Sequence, residues 1–197
     1  MRYYATMHSI FEDHLQSATA LYELIRTDER VCRAFNEAAD LITKALAEGR
    51  LLLMAGNGGS AGEAQHFAAE VVGRYKRERK GRPAIALTTD TSALTAIGND
   101  YGFDQIFSRQ LEALGRPGDV FIALSTSGNS ENLVQAVAFA KSQGIGTIGL
   151  LGKGGGTLAS LVDVAVTIPS DDTPRIQEAH LLVVHALSEL IDAYCAT

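Results

Sequence analysis

The chain has 197 residues, 46% hydrophobic and 20% charged, with a formal net charge of -6. That balance suits one globular domain with a full core and argues against a general nucleic-acid-binding surface. Two cysteines, Cys32 and Cys195, supply neither a disulfide framework nor a C-x-x-C metal pair, and there is neither an 18-residue apolar run nor an apolar leader within residues 1–12, so a cytoplasmic chain without a membrane span is expected.

Residues 7–26 place Ile10, Phe11, Leu15, Ala18, Leu21, Tyr22 and Ile25 in a helical stripe. Residues 31–47 repeat the pattern with Val31, Ala34, Phe35, Ala38, Ala39, Ile42, Ala45 and Leu46. An apolar run at 51–55 then reads as a buried strand, and 61–72 as a helix. Residues 83–87 form a second expected strand. Helices are expected at 91–97 and 103–114, parted by the polar break Gly98-Asn99-Asp100. After the turn Pro117-Gly118-Asp119 come a strand at 120–124 and a helix at 130–142, which Gly144 caps. Residues 147–151 are a fourth strand, Lys153-Gly154-Gly155-Gly156 a turn, 157–161 a short helix and 164–168 a fifth strand. Thr173 and Pro174 open a last helix that runs to about residue 193. Alternating strands and helices predict an α/β, three-layer, doubly wound sandwich around a five-stranded parallel sheet, with two leading helices. One domain over 1–197 is expected, its helical pair at 1–48 and its core at 49–197.

Two loops fall where a strand hands over to a helix, at the strand ends that carry ligands in such folds. The first is Gly56-Asn57-Gly58-Gly59-Ser60 and the second Ser125-Thr126-Ser127-Gly128-Asn129-Ser130. Glycines permit a tight turn and close approach to a ligand, and the following helix start offers free N–H groups to an anion. The hydroxyls add donors without charge, which suits a phosphomonoester. Neither loop is G-x-x-x-x-G-K-[ST] or G-x-G-x-x-G. Taken singly, each is equally well an ordinary connection. Together they tilt toward a phosphorylated small molecule.

His66 and Glu70 stand at i, i+4, so one helix face carries an imidazole and a carboxylate. They are either a surface pair or part of a site at a buried helix. The last helix holds Gln177, His180 and His185 in an apolar setting, with Gln177 and His185 about 80° apart around it. Each histidine is either a core residue or a site residue, and spacing does not choose between them. The cluster Arg74, Lys76, Arg77, Arg79, Lys80, Arg82 is either a solvated loop or a positive rim for an anionic substrate.

The stretches Ala55-Gly56-Asn57-Gly58-Gly59-Ser60-Ala61, Ala64-Gln65-His66-Phe67-Ala68-Ala69-Glu70, Thr95-Ala96-Ile97-Gly98-Asn99-Asp100-Tyr101-Gly102, Ser125-Thr126-Ser127-Gly128-Asn129-Ser130 and Arg175-Ile176-Gln177-Glu178 together resemble the sugar isomerase (SIS) domain. More narrowly, they resemble the bacterial phosphoheptose isomerase family, across essentially the whole chain. The resemblance implies an SIS, flavodoxin-like fold and conversion of sedoheptulose 7-phosphate to D-glycero-D-manno-heptose 7-phosphate through an enediol, the first step toward activated heptose. It implies that Ser125, Thr126, Ser127 and Ser130 hold the substrate phosphate, and that Asn57, Gly58, Gly59, Ser60, Asn99, Asp100 and Gln177 line the sugar. It implies one zinc ion per subunit at His66, Glu70, Gln177 and His185, with Glu70 as base and His185 as acid or proton shuttle. It also implies a homotetramer with shared active sites. The leading helices' Leu15, Leu21, Tyr22, Ile25, Phe35, Leu41 and Ile42 are candidate subunit contacts. The alternatives within the same scaffold are a non-catalytic protein of the replication-initiator-binding type, which typically lacks the equivalents of Glu70 and His185, and an isomerase of another phosphosugar.

Overall fold

The computed structural model describes the backbone of residues 2–195 and the side chains of residues 9–195; Met1, Ala196 and Thr197, at the ends of the expected domain, lie outside the described residues. Two helices lead, α1 (Arg2–Thr27) and α2 (Glu29–Ala47), and the Asp28 side chain caps the second by accepting from Arg30 N. Strand β1 (Leu52–Gly56) follows, then α3 (Gly59–Val72), β2 (Ala84–Ala86), α4 (Thr91–Tyr101) and α5 (Ser108–Leu114). The second half holds β3 (Val120–Ser125), α6 (Glu131–Ser142), β4 (Gly146–Leu151), α7 (Gly156–Leu161), β5 (Val164–Thr167) and α8 (Thr173–Tyr194).

All five strands pair in parallel, in the order β2-β1-β3-β4-β5. Side-chain alternation divides the core into two layers. Leu52, Met54, Val120, Ile122, Leu124, Ile148 and Leu150 face α2, α3 and α8. Leu53, Ala55, Phe121 and Ala123 face α5, α6 and α7. The order in which strands are added reverses between β1 and β3, the switch point at whose carboxyl ends such folds form a crevice. Among the described residues no helix is long and apolar enough to cross a membrane.

Two expectations need correction. The polar triplet Gly98-Asn99-Asp100 does not break the helix: α4 runs through it to Tyr101. Asp90 caps α4 firmly by accepting from Ala93 N, and a helix absorbs one glycine at a cost of about 1 kcal/mol, so the stop falls at Gly102, where φ is +93°. The expected turn from Lys153 to Gly156 is present, with positive φ at all four residues, and leads directly into α7. On the leading helices, Leu21 and Ile42 are buried within this chain, and Ile25, Phe35 and Leu41 pack against the same core. The expected Leu15 and Tyr22 are exposed, and Ile10, Phe11 and Leu24 join them as exposed apolar side chains of α1. Buried Arg175 ties α1 to the start of α8, donating to the His14 carbonyl at 2.7 Å and to Glu178 at 2.7 Å.

Candidate active site

The two loops form one crevice because β1 and β3 are neighbours. Their amides lace them together: Asn57 Nδ2 donates to Asn132 Oδ1 and Asn132 Nδ2 to Asn57 Oδ1, both at 3.0 Å. Asn132 is buried in the first turn of α6. Pairing both amides leaves no buried donor or acceptor stranded at this junction.

The hydroxyl loop is held from within and from behind. Ser125 Oγ accepts from Gly128 N at 3.1 Å and lies 3.3 Å from Ser130 Oγ. Ser127 Oγ accepts from Asn129 N at 3.2 Å. Ser130 occupies the N-cap position of α6, yet its side chain makes no capping bond, so that hydroxyl is not consumed by the helix. Behind the loop, Asn129 Oδ1 accepts from both Thr157 N and Thr157 Oγ1 at 2.9 Å. Gly128 has φ +66°, and a Cβ there would stand 1.9 Å from the Gly155 carbonyl oxygen, so only glycine fits.

The second half of the crevice comes from α3 and α8, which pack together. His66 and Glu70 share one face of α3, with His66 Nε2 3.4 Å from Glu70 Oε1. His66 Nε2 also lies 3.0 Å from His185 Nε2 on α8, the two rings edge to face. Gln177, in the second turn of α8, lies against the glycine loop: a Cβ on Gly59 would meet its Nε2 at 2.3 Å. The structure thus brings together His66, Glu70 and His185, and sets Gln177 beside the loop that starts α3.

His180 is the core histidine. It is fully buried and its Nε2 bonds the Leu151 carbonyl at 3.1 Å. Burial pushes it down to about 4, against that hydrogen bond. Asn99 and Asp100 are also apart from the crevice. Both are exposed on α4, Asn99 Nδ2 donating to Asp100 Oδ1 at 2.8 Å, and among the described residues neither bonds the loops, α3 or α8.

Three side chains here carry no local sequence signal. Arg79, in the basic cluster, is neither solvated nor part of a rim. Its side chain and that of Asp192 are both fully buried and meet at 2.8 Å. Asp192 also accepts from the backbone N–H of Tyr75, Lys76 and Arg77. Burial alone would raise the Asp192 carboxyl, but these hydrogen bonds together hold it below the usual carboxylate range. The loop so held stacks the Tyr75 ring on His185, with centroids 5.3 Å apart and planes within 16°. Only the charge run was legible in the sequence; its partner lies more than a hundred residues away.

Among the described residues, no group of three or more His, Cys, Asp or Glu side chains stands as a ready metal cage. The donors at this crevice are two imidazoles and a carboxylate, with the Gln177 amide nearby, a set of the N/O type that suits zinc. Two nitrogens each bound at 2.0–2.1 Å in a tetrahedral site stand about 3.3 Å apart. The His66–His185 and His66–Glu70 separations bracket that distance.

Residues 13–152 match the family model described as the SIS domain. A phosphoheptose isomerase of Geotalea daltonii is 60% identical over 153 residues, covering 78% of this chain and 80% of that relative. One of Helicobacter hepaticus is 51% identical over 189 residues, covering 96% and 93%. The structure of a phosphoheptose isomerase from Neisseria gonorrhoeae superposes with a TM-score of 0.89 at 42% identity, covering 95% of this chain and 99% of that one. A crevice built from a glycine loop, a hydroxyl loop and a histidine pair, on a scaffold shared with these relatives, leads to one assignment: the chain belongs to the SIS domain family and, within it, to the phosphoheptose isomerases, enzymes that isomerise a sugar phosphate.

Proposed function

We propose that this isomerase converts sedoheptulose 7-phosphate to D-glycero-D-manno-heptose 7-phosphate in the cytoplasm. One observation carries the reading: His66, Glu70 and His185 converge from two helices beside the loop that Gln177 touches. The hydroxyls of Ser125, Thr126, Ser127 and Ser130 and the start of α6 bind the phosphate. Asn57, Gly58, Gly59, Ser60 and Gln177 line the sugar chain.

Glu70 is the base. Its carboxylate takes a proton from C1 of the open-chain ketose. The C1–H electron pair becomes the C1–C2 double bond, and the C2 carbonyl oxygen gains a proton, giving an enediol. His185 moves the proton between O1 and O2, and Glu70 returns its proton to C2. The sum is an isomerisation with no net loss of atoms or electrons. His66, Glu70, Gln177 and His185 would hold one zinc ion. When bound, it supplies Lewis-acid polarisation of the substrate oxygens.

The protein acts as a homotetramer with shared sites. Exposed Asn99 and Asp100 support this, because sugar contacts from them require a second copy. The bare apolar face of α1 supports it too, since large exposed patches are rare on soluble monomers. The test is incubation with sedoheptulose 7-phosphate, with products followed by NMR. Appearance of the heptose 7-phosphate is expected. Turnover of a shorter phosphosugar in preference to it would overturn the substrate assignment.

A further inference from the structure

The basic loop after α3 does more than close the chain. Arg79 donates from Nε to Asp192 at 2.8 Å, from Nη2 to the Glu70 carbonyl at 2.8 Å, and from Nη1 to the carbonyls of Val71, Gly73 and Lys80 at 2.9, 3.1 and 3.1 Å. It therefore satisfies carbonyls at the C-terminal end of α3 that the helix leaves without partners. Asp192, on α8, gathers the N–H groups of Tyr75, Lys76 and Arg77 at 3.3, 2.6 and 2.8 Å. One buried ion pair thus joins the two helices that carry the candidate catalytic groups. It also folds the loop so that the half-buried Tyr75 lies flat on His185. Lys76, next in the chain, anchors the same turn to Glu189 at 2.8 Å.

A buried pair of this kind is a poor source of net stability, because desolvation offsets the attraction. Its effect is geometric: removing either partner strands a charge and frees the loop. The His185 ring has two neighbours that set its plane. One is the edge-to-face contact with His66, and the other is the Tyr75 face. Without the second, the imidazole can swing about its side-chain torsions.

We propose that Tyr75, held by the Arg79–Asp192 pair, is a positioning residue for His185, and that the same pair fixes the Glu70 turn of α3. This rests on the reading of Glu70 and His185 as the reacting groups. The stacking needs the ring and not the hydroxyl. A misplacement of about 1 Å costs up to about 10²-fold in rate, whereas phosphate binding rests on other elements.

The experiment compares Tyr75→Ala, Tyr75→Phe and Asp192→Asn in the full chain. Tyr75→Ala should lower kcat about 10- to 100-fold with KM and inhibition by inorganic phosphate nearly unchanged. Tyr75→Phe should restore kcat. In NMR spectra the His185 ring-proton signals should move in Tyr75→Ala, which loses the ring current, and stay in place in Tyr75→Phe. Asp192→Asn should reproduce the Tyr75→Ala kinetics; should it fail to fold, the two tyrosine variants decide alone. Full kcat in Tyr75→Ala would overturn the proposal. So would a Tyr75→Phe variant as damaged as Tyr75→Ala, which would give the hydroxyl a direct role. A Glu70→Gln control separates the two readings: if it stays active, the reaction assignment fails, whereas an inactive Glu70→Gln beside an active Tyr75→Ala sinks only the positioning role.

Discussion

His66 and His185, 119 residues apart in the chain, meet nitrogen to nitrogen, Nε2 to Nε2 at 3.0 Å. Two neutral imidazoles in that arrangement can share only one proton, so one donates and the other accepts, or a cation takes the place of the proton. Glu70, 3.4 Å from the same His66 nitrogen, adds a negative charge to the point where they converge. A site with that chemistry is suited to moving protons.

Glu70→Gln should keep the fold and lose turnover. The exchange is nearly isosteric and removes only the proposed base, and loss of a general base typically costs about 10²–10⁴-fold in kcat. Steady-state rates on sedoheptulose 7-phosphate, beside a thermal melt, check this. More than about a tenth of the wild-type rate in a folded variant would remove Glu70 from that role.

Ser127→Ala and Ser130→Ala should raise KM more than they lower kcat. On the proposed reading each deletes one hydrogen bond to a charged phosphate, about 1.5–3 kcal/mol, if the contact is equal in ground and transition states. Ser125→Ala should do more damage than Ser130→Ala, because its oxygen also holds Gly128 N in the loop, as Ser127 Oγ holds Asn129 N. Unchanged KM in both Ser127→Ala and Ser130→Ala would place the phosphate elsewhere.

Glu63→Gln should flatten the loss of stability with rising pH. Glu63 lies on α3 with neither carboxylate oxygen hydrogen-bonded, its Oε2 4.0 Å from the buried His180 Nδ1. Burial pushes its carboxyl up to about 7, the nearby Ser60 hydroxyl opposing weakly. The folded protein therefore keeps a proton that the unfolded chain releases above its ordinary value of 4.5. Stability from this group falls as pH rises from there to about 7, then levels off. His180, held down to about 4, works the other way: its contribution is lost as pH falls from 6.5 toward 4, in both proteins. Melting temperatures of Glu63→Gln minus wild type should grow between about pH 5 and pH 8 by several degrees. Parallel melting curves across that range would contradict it.

Phe11→Glu or Leu15→Glu should break the assembly. Both side chains are exposed on α1, 66% and 49%, beyond what a free helix face of a monomer needs. Light scattering of the wild type should give four times the 21.0 kDa chain mass, and the variants a smaller species with reduced activity. A fully active wild type at the mass of one chain would end the shared-site reading.

Local pattern carried much of this protein in the sequence itself. Apolar runs at residues 51–55 and 120–124 became the buried strands Leu52–Gly56 and Val120–Ser125, and the glycine and hydroxyl loops after them met because neighbouring strands put their ends together. His66 and Glu70 were legible as a pair because four residues make about one helical turn. Periodicity reports which face a residue shares with its near neighbours, and nothing about what packs against that face. So the choice between His180 and His185 waited for α8 to pack against both β4 and α3, which buried the first against Leu151 and turned the second to His66. Arg79 shows the same limit more sharply. Among six basic residues it looks like any surface charge. Only a carboxylate 113 residues away, together with the carbonyls at the end of α3, makes its burial tolerable, and those partners exist only once the chain has folded.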